Sequence, residues 1–223
     1  MPQIKAVIFD MDGVIIDSQS RWMPLVQDMY RRLFPHLSEL EILELSERIR
    51  GNSILDEYGI LTREQGLTMD QTAFLEMYDA GSLKLYSEEV ELSEHLIEFL
   101  DQIQGTHRIA LASNSVHAWI DVPLRRFSLA HYFEVVVGAD DLKGSGKPSP
   151  EIYIQTAQKL GVAVQDCVVI EDSIPGVTAA KAAGMSCIGY IARSSADQVA
   201  SADIVISSFT EATAALAQLN KGN

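Results

Sequence analysis

Basic side chains are scarce in this chain. Lys and Arg together number 17 among 223 residues, against 31 Asp plus Glu, for a formal net charge of -14. A nucleic-acid binder gathers positive charge on one face, so this balance argues against nucleic acid as a partner. It does not bar a small anion, because one lysine and one divalent cation can reverse the field locally. Cysteine is rarer still. Cys167 and Cys187 each sit in an apolar run and are expected to be buried free thiols, not a disulfide or a metal centre. His36, His95, His107, His117 and His131 fit no ligand spacing and read as structural or surface residues. No run approaches the roughly 18 to 20 apolar residues of a membrane span, and no signal-like segment precedes the first apolar stretch. Repeats, low-complexity tracts and long Gly/Ser linkers are also missing. The expectation is a soluble, cytoplasmic protein with no membrane partner, built as one large domain or as a domain with a smaller companion.

Apolar residues, by contrast, make up 47% of the chain, enough for a proper core. The stretch Ile4-Lys5-Ala6-Val7-Ile8-Phe9 is almost entirely apolar and reads as a strand buried on both faces, as in the middle of a parallel sheet. Asp10 and Asp12 then follow abruptly, and Gly13 lets the chain turn away. Burying ionised carboxylates without partners is costly. These two acids must therefore meet solvent, a cation or a reaction. The C-terminal end of a central strand in an open α/β sheet is where ligands bind.

Further on, Asp17-Ser18 resembles a helix N-cap. Trp22, Leu25, Val26, Met29, Tyr30 and Leu33 recur on one helical face, and Pro35 ends that helix. A second helix is predicted through Leu40, Leu43 and Ile49, stopping near Gly51, and a third through Phe74, Met77, Tyr78 and Leu85. Asn52 to Gly66 shows no clear regularity. This all-helical stretch, residues 17–86, is too small for a large independent core and must pack on something else. From Leu92 onward the rhythm alternates. Strands are predicted at Ile109–Ala112, Glu134–Gly138, Val168–Ile170, Ser186–Ile191 and Ile204–Ile206, with helices between them and a last helix over Phe209–Leu219. That alternation predicts an α/β fold, a doubly wound parallel sheet formed by residues 1–16 and 87–223, with the helical segment inserted after the first strand.

Polar groups follow the apolar strands at three further places. They are Ser113-Asn114-Ser115, a loop carrying Lys147-Pro148, and Glu171-Asp172-Ser173. In a parallel sheet these ends lie on one edge. Each group has a bland alternative: a solvated turn for Asp10 and Asp12, a dipole-favoured acidic helix start for Glu171 and Asp172, a surface lysine for Lys147, and helix caps for Ser113 and Asn114. Together they make an inventory suited to a phosphate and a cation with oxygen ligands, for which Mg²⁺ is the natural choice.

The series Phe9-Asp10-Met11-Asp12-Gly13-Val14, Ser113-Asn114, Lys147-Pro148 and Ile170-Glu171-Asp172-Ser173 resembles the four ordered motifs of the haloacid dehalogenase superfamily. The helical insertion is similar to the cap of its β-phosphoglucomutase and phosphatase subfamily. The resemblance implies a phosphatase acting on a small phosphorylated metabolite through an aspartyl-phosphate. It implies Asp10 as nucleophile and Asp12 as general acid and then base. Mg²⁺ would lie among the Asp10 carboxylate, the Asp12 backbone carbonyl and Asp172, with Glu171 direct or through water. Ser113, the Asn114 backbone and Lys147 would hold the phosphoryl group.

Two departures from the mutases count against mutase activity. Within the resembled subfamily, mutases carry a His where this chain has Trp22, and a cap Arg where it has Ile54. Arg21, Trp22, Arg50 and Asn52, with their neighbours Gly51 and Ser53, are the candidates for substrate selection. A phospho-accepting receiver domain would also place acids, a hydroxyl and a lysine around Mg²⁺. The chain length and the helical insertion argue against it.

Overall fold

In the computed structural model, which describes residues 3–50, 52–192 and 195–222, the first apolar run is the centre of the molecule. It forms β1 (Ala6–Phe9), every residue of which is buried. Seven more strands follow: β2 (Ile16–Asp17), β3 (Glu91–Leu92), β4 (Arg108–Ala112), β5 (Val135–Val137), β6 (Cys167–Glu171), β7 (Ser186–Tyr190) and β8 (Ile204–Ile206). Among the described residues, six of these eight strands, β1 included, build one sheet in the order β5-β4-β1-β6-β7-β8, all pairings parallel. The chain winds outward from β1 through β4 to β5, then returns to place β6 on the other side of β1. The strand order therefore reverses at β1, where Phe9 is level with Leu111 on one side and Ile170 on the other.

The helices are α1 (Gln19–Leu33), α2 (Glu39–Ile49), α3 (Ile54–Gln65), α4 (Gln71–Lys84), α5 (Leu96–Ile103), α6 (His117–Arg126), α7 (Glu151–Leu160), α8 (Ile174–Ala182) and α9 (Ala212–Gly222). Side chains alternate across a strand, so β1 serves both layers. Val7 and Phe9 pack with Phe99 of α5, Phe209 and the apolar face of α9. Ala6 and Ile8 pack with Ile152 and Tyr153 of α7 and with Val177 of α8. The Phe9 ring centroid lies 6.0 Å from that of Phe99 and 6.3 Å from that of Phe209. Burying one such ring stabilises by about 1.5–3 kcal/mol. Cys167 and Cys187 are buried free thiols.

The helices α1 to α4 occupy the segment between β2 and β3. Those two short strands pair antiparallel, Ile16 with Leu92 and Asp17 with Glu91, so the chain leaves and re-enters the sheet layer side by side. A π-helical turn over Leu85–Glu89 closes the excursion. The stretch from Asn52 to Gly66, irregular in sequence, holds α3. Ser53 caps its start by accepting a hydrogen bond from the Asp56 amide, and Gly66 ends it at φ 68°. Ser18 stands at the N-cap position of α1, as its sequence suggests, but its side chain makes no capping bond there. Gly51 lies outside the described residues. Among those described, no helix is long and apolar enough to cross a membrane.

Candidate active site

Asp10 follows the last residue of β1, and its amide donates to the Ile170 carbonyl of β6. The side chain is 7% exposed. Gly13, at φ 90°, gives the left-handed turn that sends the chain toward α1; only glycine adopts that conformation without steric cost. Asp12, between the two, is held by hydroxyls. Ser18 Oγ and Tyr86 OH donate to its Oδ1 at 2.6 and 3.0 Å, and Ser115 Oγ donates to its Oδ2 at 3.2 Å. Burial pushes the Asp12 carboxyl up from its ordinary pKa, while these three hydroxyls pull it down.

Lys147 is 2% exposed. Its Nζ donates to Asp10 Oδ1 at 2.5 Å, Glu171 Oε1 at 2.6 Å and the Ala112 carbonyl at 3.1 Å. Burial alone would lower its pKa, but Asp10 and Glu171 outweigh that and raise it. Its backbone is fixed by the Asn114 side chain, whose Oδ1 accepts from the Lys147 amide at 2.9 Å. Ser113 is buried at the end of β4, and its Oγ accepts from the Ser115 amide.

Glu171 is fully buried and both of its oxygens are engaged. Oε1 accepts from Lys147 and from Tyr153 OH at 2.6 Å. Oε2 accepts from the Asp172 and Ser173 amides and from Ser173 Oγ. The start of α8 presses close against it. A Cβ on Gly176 would fall 1.9 Å from the Glu171 carboxyl carbon, so any side chain there would displace the glutamate.

Asp10, Glu171 and Asp172 offer carboxylate oxygens within 4.8 Å of one another, all three residues being buried. For Asp172, burial raises the pKa, with Glu171 and Asp10 adding to it, while Arg50 and Lys147 oppose. For Asp10, burial again raises it, Lys147 opposes, and Glu171 and Asp12 add. One ammonium thus faces several carboxylates where water is excluded. Buried charges need a partner or a metal, and an all-oxygen donor set suits a hard divalent cation. The residues present fit such an ion.

A cavity of about 110 Å³ opens over this cluster, small beside the roughly 300–1,000 Å³ of drug-sized sites. Asp10, Asp12, Ser113, Asn114, Lys147 and Asp172 line it from the sheet side, and Trp22, Arg50, Asn52 and Glu57 from the helical insertion. Trp22 stacks on Tyr86 at 6.1 Å between centroids and lies 5.9 Å from Trp119. Trp119 of α6 in turn donates its indole N–H to Asp79 of α4 at 2.7 Å, tying the insertion to the sheet layer. Arg21 is not brought to the site. It is exposed, because neighbours on a helix point about 100° apart and Trp22 takes the inward direction.

Sequence reasoning missed Ser18, Tyr86, Ser115, Tyr153 and Glu57. Only Ser115 carried a signal, as part of the polar run after β4. Ser18 reads in sequence as a helix cap, and Tyr86, Tyr153 and Glu57 act through contacts with residues 18 or more positions away.

Comparison with known proteins agrees with this geometry. Residues 4–184 match the family model of haloacid dehalogenase-like hydrolases. A phosphorylated carbohydrates phosphatase of Thermotoga maritima is 33% identical over 183 residues, 82% of each chain. Hexitol phosphatase B of Escherichia coli K12 is 32% identical over 216 residues, 95% of this chain and 96% of that one. The fold also matches a crystal structure of β-phosphoglucomutase from Clostridium difficile, with a TM-score of 0.78 at 21% identity over 99% of this chain and 98% of the other. The parallel sheet, the acids at its switch point and the matched sequence agree: the chain belongs to the haloacid dehalogenase-like hydrolase family, and its named relatives are phosphatases.

Proposed function

We propose that this hydrolase is a Mg²⁺-dependent phosphatase that cleaves a small phosphorylated metabolite, of sugar or related type, through an aspartyl-phosphate. The observation that carries the reading is the division of labour between two acids in one cavity. Asp10 is paired with a buried lysine beside the metal-ligand cluster, whereas Asp12 is held apart by three hydroxyls. A carboxylate oxygen of Asp10 attacks phosphorus, and the ester P–O bond breaks. Asp12 gives its proton to the departing alcohol oxygen. Asp12 then takes a proton from water, whose oxygen attacks the same phosphorus and frees Asp10 and inorganic phosphate. Lys147, Ser113 and the Asn114 backbone hold the phosphoryl oxygens, since such transfer depends mainly on positioning and electrostatics. Asp10, Asp172 and the Asp12 carbonyl would hold the cation. Glu171, whose oxygens already have donors, would reach it through water. When bound, the ion screens the carboxylates from the incoming anion and stabilises charge in the transition state.

In this reading residues 17–86 form a cap that excludes water and selects the leaving group, and residues 1–16 and 87–223 form the catalytic core. Trp22, Arg50 and Asn52 line the cavity from the cap and select the substrate. Trp22 and Ile54 stand where mutases of the resembled subfamily carry groups for a second phosphate. That favours release of phosphate over its return to the sugar, and relatives named hexitol phosphatase and phosphorylated carbohydrates phosphatase support the same class. The test is turnover of p-nitrophenyl phosphate and a panel of sugar phosphates, with Mg²⁺ or with chelator. Turnover that requires Mg²⁺ and vanishes in Asp10→Asn is the expected result. No turnover of any ester, with stable labelling by acetyl phosphate, would instead favour a receiver-type module.

A further inference from the structure

Glu57 is an anomaly in the interior of the helical insertion. On α3 the buried residues are Ile54, Glu57 and Leu61, one helical face on which the middle position is a carboxyl group. It is 7% exposed. Tyr30 OH of α1 donates to its Oε1 at 2.6 Å, and Tyr78 OH of α4 donates to the same oxygen. Two phenols from two helices therefore fix the rotamer through one oxygen. Among the described residues, no donor reaches the other, Oε2. Glu57 nonetheless lines the cavity that holds Asp10 and Asp12. Two residues before Asn52, in the turn between α2 and α3, the partly buried Arg50 lines the same cavity. A group needed only to join three helices could be an apolar residue at this position, whereas Glu57 Oε2 is not among the fully buried side-chain atoms left without a partner and the residue lines the cavity, so this oxygen is open to what the cavity holds.

We infer that Glu57 is a specificity residue whose Oε2 accepts a hydrogen bond from a hydroxyl of the leaving group. The site would thereby select monophosphates with an uncharged polyhydroxy leaving group, open-chain or cyclic, and disfavour substrates bearing a second phosphate. The inference rests on the phosphatase reading above and sharpens its substrate class. The chemistry is simple. A carboxylate oxygen needs an O–H or N–H donor, which a polyol supplies along its whole length. A second phosphate supplies negative charge and, at neutral pH, little donor capacity. A site built to hydrogen-bond a hydroxyl discriminates strongly against analogues that lack it. Arg50, which lines the same cavity and pairs with Glu47 at 3.6 Å, supplies guanidinium N–H donors beside it.

The test compares wild-type protein with Glu57→Gln and Glu57→Asp on three esters: a sorbitol monophosphate, p-nitrophenyl phosphate and fructose bisphosphate. In Glu57→Gln the amide oxygen can still accept from the phenols, which leaves an NH₂ donor in place of the accepting oxygen. The expected result is a fall of about 10- to 100-fold in kcat/KM for the sorbitol ester relative to that for p-nitrophenyl phosphate. The fall should lie mainly in KM, with the bisphosphate gaining relative to the monophosphate. Glu57→Asp keeps the charge but withdraws it by one methylene, and should lose the sorbitol preference without the gain for bisphosphate. If Glu57→Gln does not fold, Glu57→Asp carries the test alone. Equal losses on all three esters would assign Glu57 a purely structural role and overturn the inference. An unmoved substrate ratio in a folded variant would do the same while leaving the phosphatase reading intact. Absence of turnover by the wild-type protein on every ester would overturn both.

Discussion

Replacing Lys147 with Met tests the electrostatic logic of the site most directly. Lys147 is 2% exposed, Glu171 0% and Asp10 7%, and the ammonium bridges both carboxylates at 2.5 and 2.6 Å. Met preserves most of the volume but removes the charge. Breaking a buried pair by deleting one partner costs about 3–5 kcal/mol, because the other is left uncompensated. Total stability is commonly about 5–15 kcal/mol, so this is a large fraction. At about 2–4 °C per kcal/mol for a chain of this size, the melting temperature should fall by roughly 6–20 °C in chelator. The pH dependence gives the sign. Lys147 is the main influence holding the Asp10 pKa down against burial, so its loss drives that pKa higher still. Folded Asp10 then retains a proton that the unfolded chain releases. The native state binds more protons than the unfolded one, and unfolding free energy falls as pH rises between the ordinary carboxylate value of about 4 and the raised native value. Because the wild-type Asp10 carboxyl is itself already pushed up to about 8, the two proteins share that slope below pH ~8, and the deficit relative to wild type should stay level there and grow only as pH rises above ~8, read by thermal melts from pH ~5 to ~9. A variant that melts within about 2 °C of wild type throughout, or whose deficit grows in acid, would refute the assignment of Lys147 as the buried counter-charge.

Two further outcomes can be measured on the same material. Mg²⁺ at about 100 times its Kd should stabilise the wild-type protein by about 2.7 kcal/mol, roughly 5–11 °C, and chelator should reverse it; a flat melting curve would remove the cluster of Asp10, Glu171 and Asp172 from consideration as a metal centre. Tyr86→Phe deletes one of the three hydroxyls on Asp12, a charge-assisted bond of about 1.5–3 kcal/mol. It should slow hydrolysis of alkyl phosphates by roughly tenfold or more, and that of p-nitrophenyl phosphate less, since its leaving group needs little proton donation. Equal slowing of both esters would show that Tyr86 does not act through the general acid.

The shared edge of the candidate site was legible in the sequence because parallel topology does much of the positioning. Asp10, Ser113, Lys147 and Asp172 are far apart in the chain, but each follows an apolar run. Once those runs are strands of one parallel sheet, their ends share an edge. The alternation of Val7 and Phe9 with Ala6 and Ile8 between two cores is likewise implied by a strand apolar on both faces. The support around these residues was not legible. Ser18 precedes a helix and looks like a cap, but Asp12 takes its hydroxyl instead. The partnership of Tyr86 with Asp12 spans 74 positions and depends on how the insertion returns to the sheet beside β2. No local pattern encodes that path.

The insertion was harder to read for a specific physical reason. Helix α3 is found in sequence by apolar residues at i, i+3 and i+7, and its buried face does fall at 54, 57 and 61. The middle position is a glutamate, so the pattern is interrupted in the middle of the helix's buried face. Two tyrosines, 27 and 21 positions away, supply the hydrogen bonds that make this burial tolerable. A residue that breaks the local rule and is supported by distant partners is more informative than one that obeys it, because fold-level requirements alone would favour an apolar side chain. Arg21 illustrates the opposite case. Its charge made it a candidate beside Trp22, but helical geometry turns it to solvent, and charge alone could not reveal the direction. In this insertion the unexpected carboxyl of Glu57, more than the visible arginine of Arg21, points to what the cavity binds.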